Sequence, residues 1–378
     1  MTSAGIYIHI PFCKSRCSYC DFATGIYEKE MAARYVDALV SDISATRSGK
    51  EMSAVDTVYF GGGTPSILSP KQIARILSTV RESFEVSATA EITLEINPGS
   101  VTTSVLNEFR SAGINRASFG AQTFDDRELA RLGRAHTSTD TVKTFHALRE
   151  AGFDNVSFDL IAGLPGQSMS GWKENVERSL ALRPEHLSFY LLEVHSGTPL
   201  AQHIERGLQP KPDDDLAAEM YEWMLARAEV AGYEHYEISN LCLPTFESQH
   251  NTKYWTGAAY YGFGCSAHSY DGSETRWSNE RDVATYVAAV ENRKTPVVEL
   301  HELTRDELRA EAVFLGMRMM RGVNTKDYQQ LFGVDILNEY RQDLDRFQEA
   351  GLIKFDGDIL RLTRAGALMS NEVFSRFV

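Results

Sequence analysis

The sequence predicts an α/β fold: a partial (β/α)6 barrel of the TIM kind, followed by a winged-helix-like α+β module. Three observations predict it. Six short, β-rich apolar runs alternate with longer helical patterns between Gly5 and Val194. Each run reads as apolar on both faces, as strands of a covered parallel sheet do. Each run also ends in polar residues or glycines, and barrels of parallel strands gather their active sites at those ends.

The runs are GIYIHI from Gly5, TVYFGG from Thr57, EITLEINP from Glu91, RASFGAQ from Arg116, NVSFDLIAG from Asn155 and HLSFYLLEV from His186. In the helical stretch KEMAARYVDALVSDI, Met31, Tyr35, Leu39 and Ile43 recur every fourth residue. Ser69 reads as the cap of the next helix, with Pro70 at its first position. The Pro- and Asp-rich stretch around Pro210 leads into a further helix with Met220, Met224 and Ala228 on one face. The barrel is expected to span 1–230, a connecting segment 231–300 and the last module 301–378. In that module Leu308, Ala312, Leu315 and Met319 share a helix face, and Leu337, Tyr340, Leu344 and Phe347 mark a second helix that Gly351 caps. Asp356-Gly357 then reads as a hairpin turn.

Composition narrows the function. The net charge of the 378 residues is −14, which supplies no broad basic field for nucleic acid. Residues 301–378 hold 11 Lys and Arg against 13 Asp and Glu, so the winged-helix-like module lacks a DNA reader's footprint as well. No basic segment followed by an apolar run opens the chain, and no stretch nears a membrane span, so a cytoplasmic protein is expected. A peripheral place at a membrane and a homodimer are left open.

Five cysteines are present, and three of them, Cys13, Cys17 and Cys20, fall within eight residues after the first strand. Clustered thiols suit a metal site in a reducing compartment better than a disulfide framework. Cys-x3-Cys-x2-Cys suits three corners of a [4Fe-4S] cubane whose fourth iron stays open. A zinc site completed by a histidine such as His9 is the alternative. Gly61, Gly62 and Gly63 follow the second strand, where backbone without side chains lets a ligand approach bare amides. Glu95 and Asn97 end the third strand, Gln122 the fourth, Asp159 the fifth, and Tyr190 and Glu193 the sixth.

The cysteine spacing on such a barrel resembles the radical S-adenosylmethionine superfamily. Tyr7 with HIPFC, then YFGGGTP, LEINP, FGAQTF, LGRAH and FDLIAGLPGQ, resemble one branch of it from about Gly5 to the C-terminus. That branch holds oxygen-independent coproporphyrinogen III dehydrogenase and the HemW-type heme chaperones. The resemblance implies a radical SAM barrel and a cluster on Cys13, Cys17 and Cys20. It puts Tyr7 and Tyr19 near the cluster and S-adenosylmethionine, with Gly62, Gly63 and Thr64 on the methionine part. Glu95, Gln122, Arg134 and Asp159 would then surround its ribose, carboxylate or adenine.

Two departures separate the paralogues. The dehydrogenase motif continues to a fourth cysteine, where this chain has Phe22, and only four residues precede Gly5. QHNTKYW, from Gln249 to Trp255, matches the chaperones' His-Asn-x-x-Tyr-Trp heme signature. The expectation is therefore a heme chaperone in which His250 ligates heme iron and Tyr254 and Trp255 stack on the porphyrin. His268 is a lesser candidate ligand, and Cys242 and Cys265 read as small buried hydrophobes. The expected partners are heme and acceptor hemoproteins, membrane-bound respiratory enzymes among them, and no nucleic acid. Coproporphyrinogen dehydrogenation is the alternative, and a radical enzyme with another substrate a third.

Overall fold

The computed structural model describes residues 3–46 and 54–377. Six parallel strands form the frame: β1 (Ala4–Ile10), β2 (Ala54–Gly62), β3 (Glu85–Ile96), β4 (Arg116–Gln122), β5 (Val156–Ala162) and β6 (His186–Leu191). Every sequence-predicted strand is present. Six further strands extend the same sheet: β7 (Glu234–Glu237), β8 (Asn240–Cys242), β9 (Tyr260–Phe263), β10 (His268–Tyr270), β11 (Thr275–Asn279) and β12 (Val297–Glu302), in the order β12-β11-β10-β9-β1-β2-β3-β4-β5-β6-β8-β7. Residues 231–300 thus do not stand apart as a connector. They supply both edges of the barrel sheet.

The strands are not apolar on both faces. Ile6, Ile8, Phe60, Leu94, Phe119, Phe158 and Leu187 are buried in the core. They alternate with a polar row of Tyr7, His9, Thr57, Tyr59, Glu91, Thr93, Glu95, Arg116, Ser118, Ser157, Asp159, His186 and Ser188. Register aligns that row across the sheet: Tyr7 faces Tyr59, Thr57 faces Glu91, Glu95 faces Ser118, and Ser157 faces His186. The period of two puts the polar row on the opposite face from the apolar one, inside the barrel.

Helices cover the outside. Tyr35, Leu39 and Ile43 are fully buried on Lys29–Thr46, while Met31 is only half-buried. Pro70–Ser83 begins at a complete capping box in which Ser69 accepts from the Gln72 amide and the Gln72 side chain answers. In the last module the helix Arg305–Arg318 buries Val313 and Met317 fully, with Met319 buried just past its end, while the expected Leu308 and Ala312 are only partly buried against the core and Leu315 is half-buried. The second expected helix is broken at Tyr340 into Ile336–Glu339 and Arg341–Glu349, which leaves Leu337 exposed. The hairpin Ile353–Asp356 with Ile359–Leu362 forms as expected and gains a third short strand, Val323–Asn324. Among the described residues no helix is long and apolar enough to cross a membrane.

The barrel does not close. Its N-terminal floor is plugged by the short helix Gln249–Thr256. The Glu91 carboxylate accepts from the Gln249 and His250 amides at 3.3 and 3.2 Å and lies 4.0 Å from the buried Arg116 guanidinium. Lys253 reaches the Ser3 carbonyl and Asp56. His250 is 1% exposed, and its two ring nitrogens bond to the Thr57 and Tyr254 hydroxyls, both at 2.9 Å. Burial lowers its pKa to about 3, with Lys253 and Arg116 adding to the effect, so the imidazole is neutral.

His250→Ala removes two hydrogen-bond partners and leaves two hydroxyls unpaired in the barrel. It is expected to destabilise the chain by roughly 2–4 kcal/mol. Urea denaturation of the full-length variant measures this; an unchanged midpoint would contradict the plug.

Candidate functional site

A cavity of about 540 Å³ opens at the C-terminal ends of the strands, as the βα architecture requires. Cys13, Cys17 and Cys20 line one wall. Tyr19, Gly62, Gly63, Thr64, Glu95, Gln122, Arg134 and Asp159 line the same space. Tyr7 does not. It lies below the rim, where its hydroxyl meets His9 Nδ1 at 3.0 Å. Because His9 Nε2 donates to the Ala23 carbonyl, Nδ1 accepts from Tyr7, and His9 serves as a post under the cysteine loop.

That loop has almost no regular structure of its own. Its two ends pair as a short parallel ladder, Phe12–Cys13 with Gly25–Ile26, through Gly25 to the Pro11 carbonyl and Tyr27 to that of Cys13, and from elsewhere Leu132 and Leu200 bond to Ser18. The thiols themselves stay half-buried. Burial raises the pKa of Cys13 and of Cys20, against hydrogen bonds from Thr64 to the first and from the Phe22 amide to the second. Among the described residues no three His, Cys, Asp or Glu side chains gather closely enough to hold one metal ion. A cubane does not need that, because each thiolate binds a different iron.

One hydrogen-bonded chain ties two of the sulfurs together. Thr64 Oγ1 donates to Cys13 Sγ at 3.6 Å and accepts from Asn97 Nδ2 at 2.8 Å. Asn97 Oδ1 accepts from Arg134 at 3.1 Å, and Arg134 also reaches the Gly120 carbonyl at 2.7 Å and Cys17 Sγ at 3.5 Å. Donors to cluster sulfurs tune a cluster's potential. Asn97, noticed in the sequence only as a strand end, is the centre of this chain.

The glycine run differs from the expectation of bare amides. The Gly62 amide donates to Glu95 Oε2 at 3.2 Å, and the Gly63 amide to the Ile10 carbonyl at 2.8 Å. The Gly63 carbonyl accepts nothing among the described residues. What the run offers a ligand is therefore an acceptor, which suits an ammonium group. Side chains do not fit there. A Cβ on Gly62, at φ +112°, would lie 2.6 Å from His9, and one on Gly63 would lie 2.8 Å from the Phe12 carbonyl.

Glu95 Oε1 accepts from the Tyr59 hydroxyl at 2.8 Å. Burial raises its pKa to about 7, opposed by the Tyr59 and Gly62 hydrogen bonds. Burial raises that of Asp159 as well, against a hydrogen bond from Ser188. Gln122 ends β4 in the left-handed region at φ 63°, a strained conformation for a residue with a side chain, and it faces the cavity.

The expected heme ligands are elsewhere. His250, Tyr254 and Trp255 sit on the floor plug, at the opposite end of the barrel from the cysteines. Neither His250 nitrogen is open to iron while that helix stays in place. Trp255 has one face under the Arg318 guanidinium at 4.2 Å, and Tyr254 packs edge-on to Tyr260 at 4.7 Å. Cys242 and Cys265 are buried away from the cavity, and burial pushes both thiols up to about 12. His268, on β10, does not border the cavity either. The sequence reading missed the wall opposite the cysteines: Tyr221, Arg318, Leu368 and Asn371 come from distant helices. It also passed over His195 at the mouth.

Comparison with known proteins places this geometry. Residues 7–178 match the family model of the Radical SAM superfamily, and residues 303–369 that of the HemN C-terminal domain. A protein of Bacillus subtilis (strain 168) described as heme chaperone HemW is 35% identical over 373 residues, which cover 98% of each chain. The chain belongs to the HemW family of radical SAM proteins. The Mycobacterium tuberculosis (strain ATCC 25618 / H37Rv) HemW is 35% identical over 374 residues, covering 98% of this chain and 93% of its own. A mitochondrial mouse relative, radical S-adenosyl methionine domain-containing protein 1, is 34% identical over 336 residues, covering 87% of this chain and 76% of its own. Among solved structures, coproporphyrinogen III oxidase (HemN) from Escherichia coli matches with a TM-score of 0.87 at 24% identity. It covers 99% of this chain and 90% of that one, and establishes the fold alone.

Membership of a radical SAM family implies a [4Fe-4S] cluster and S-adenosylmethionine. The residues fit both groups: three thiols on one wall, an unpaired carbonyl beside them, and a fixed cation and carboxylates beyond.

Two outcomes are expected. Cys17→Ser abolishes the cluster after anaerobic reconstitution, while Cys242→Ser and Cys265→Ser retain full iron and sulfide. Glu95 has a folded pKa above its ordinary value, so its contribution to stability is complete below about pH 4.5 and is lost as pH rises through about 7. Glu95→Gln removes that loss, on the order of 2 kcal/mol, so the urea midpoint falls less between pH 5 and pH 8 than in wild type.

Proposed function

We propose that this chain is a cytoplasmic heme chaperone. It carries a [4Fe-4S] cluster on Cys13, Cys17 and Cys20, binds S-adenosylmethionine beside it, and hands heme to hemoproteins, respiratory enzymes among them. The cluster supplies an open iron for the amino and carboxylate groups of the cosubstrate. Around that iron, the Gly63 carbonyl would accept from the amino group, Arg134 would meet the carboxylate, and Glu95, Gln122 and Asp159 would hold the ribose and adenine.

The observation that carries the reading is at position 22. Where the dehydrogenase motif has its fourth cysteine, this chain presents Phe22, 63% exposed at the cavity mouth. An exposed aromatic ring beside a cluster is a surface for a flat apolar ligand and offers nothing to a metal. The names of the near full-length relatives support the same reading. Coproporphyrinogen dehydrogenation is supported only by likeness of fold.

Cluster-loaded protein is expected to take up ferrous or ferric heme and release it to an apo-hemoprotein. It is expected to leave coproporphyrinogen III unchanged under anaerobic reducing conditions with S-adenosylmethionine. Absorbance of the acceptor follows the transfer, and porphyrin chromatography follows the turnover. Consumption of coproporphyrinogen would overturn the proposal.

A further inference from the structure

Heme iron needs an axial donor, and the floor plug withholds the one the signature names. The chain has ten histidines. His9, His186 and His250 are buried with both ring nitrogens bonded. Only one of the ten, His195, borders the cavity. It stands on the loop after β6, with its side chain 43% exposed.

We infer that heme docks at the cavity mouth with His195 as its axial imidazole, an assignment that rests on the heme-chaperone reading. The His195 ring is free to accept iron. Two carboxylates stand near it, Asp21 Oδ2 at 3.8 Å from Nδ1 and Glu193 Oε2 at 3.7 Å from Nε2, both beyond hydrogen-bond reach. Metal-ligating imidazoles generally give their second nitrogen to a carboxylate or carbonyl, which fixes the ring and strengthens it as a donor. Asp21 stands where it can do this for Nδ1. Glu193, 70% exposed, is free to swing away from Nε2 and leave that nitrogen to the metal.

The surroundings match a porphyrin. Phe22 and Tyr190 line the same mouth with 63% and 41% of their surface exposed, and Val194, beside His195 in the chain, is 39% exposed. Large apolar side chains left in water on two facing loops mark a surface that something apolar covers. Arg16, also at the mouth, is a cation for a propionate. Cys20, Asp21 and Phe22 are consecutive, so this heme lies next to the cluster loop and not at the barrel floor.

The test is hemin titration of the full-length, cluster-loaded chain, followed by the Soret band. Wild type is expected to bind with an imidazole-type spectrum. His195→Ala is expected to lose that spectrum and roughly tenfold or more in affinity, with cluster content unchanged. Added imidazole should restore the band. Phe22→Asp should weaken binding and keep the wild-type spectrum. His250→Gln should keep both spectrum and affinity, whatever it does to stability. A wild type that binds hemin while His195→Ala binds it equally, with the same band, overturns this assignment alone. A wild type that takes up no hemin overturns the assignment and the heme-chaperone reading together.

Discussion

Polar groups on the inner face of this barrel need partners, and all but a few, such as Thr93 Oγ1 and Arg116 Nε, find one; most of the structure is the consequence. A buried hydroxyl, imidazole or carboxylate without a hydrogen bond costs more than its bond would return in water. At the floor the partners come from the protein. Glu91 takes two amides of the plug, Thr57 and Tyr254 take the two nitrogens of His250, and Ser157 and Tyr236 take those of His186. At the rim the same rows end in Glu95, Gln122 and Asp159 around open space. One strand pattern therefore gives a sealed end and a receptive end. Burial at the receptive end raises the pKa of Glu95 to about 7, opposed by the hydrogen bonds from Tyr59 and Gly62.

The two glycines at the end of β2 transmit this arrangement to the cysteine loop. Register pairs Ile10 with Gly62, so the chain turning out of β1 runs directly against the chain turning out of β2. Neither position has room for a Cβ. The contact lets Thr64 reach Cys13, and through Asn97 and Arg134 it fixes the distance to Cys17. A loop with only one two-residue ladder, Phe12–Cys13 with Gly25–Ile26, can hold a cluster in place because its backbone is also bonded to Leu132 and Leu200.

Much of this was legible in the sequence, and the failures have physical causes. Strand positions and the residues at strand ends follow from local pattern, and the structure brings together every predicted cluster and cosubstrate residue except Tyr7. The inner face was misread because short β-rich runs mix Tyr, Thr and Ser with Ile and Phe, and those side chains pass for apolar filler until register is known. Val313 and Met317 are the most buried positions of the helix Arg305–Arg318 because it packs on the floor helix Gln249–Thr256, on Val323–Asn324 and on Ile359–Leu362 at once, which periodicity within one helix does not encode. His250 illustrates the remaining limit. A motif gives residue types and spacing, but not which way the helix carrying them faces, and here it faces inward.

The C-terminal module is part of the barrel's physics and not an appendage. Arg318 packs against the β7 edge of the sheet. It grips the fully buried Glu237 through two nitrogens, at 2.7 and 3.1 Å, stacks on Trp255 of the floor plug, and borders the cavity. Met319 and Met320 continue the contact by pairing with Glu237 and Tyr236. A buried carboxylate whose one cation comes from another module ties the two together strongly, because separating them would leave the charge unpaired in the interior. The signature helix is thus clamped from two sides, by Glu91 within the barrel and by Arg318 from outside. Any ligand that pulled His250 out of the floor would have to break both clamps, whereas a ligand at the rim, beside Phe22 and His195, has to break neither.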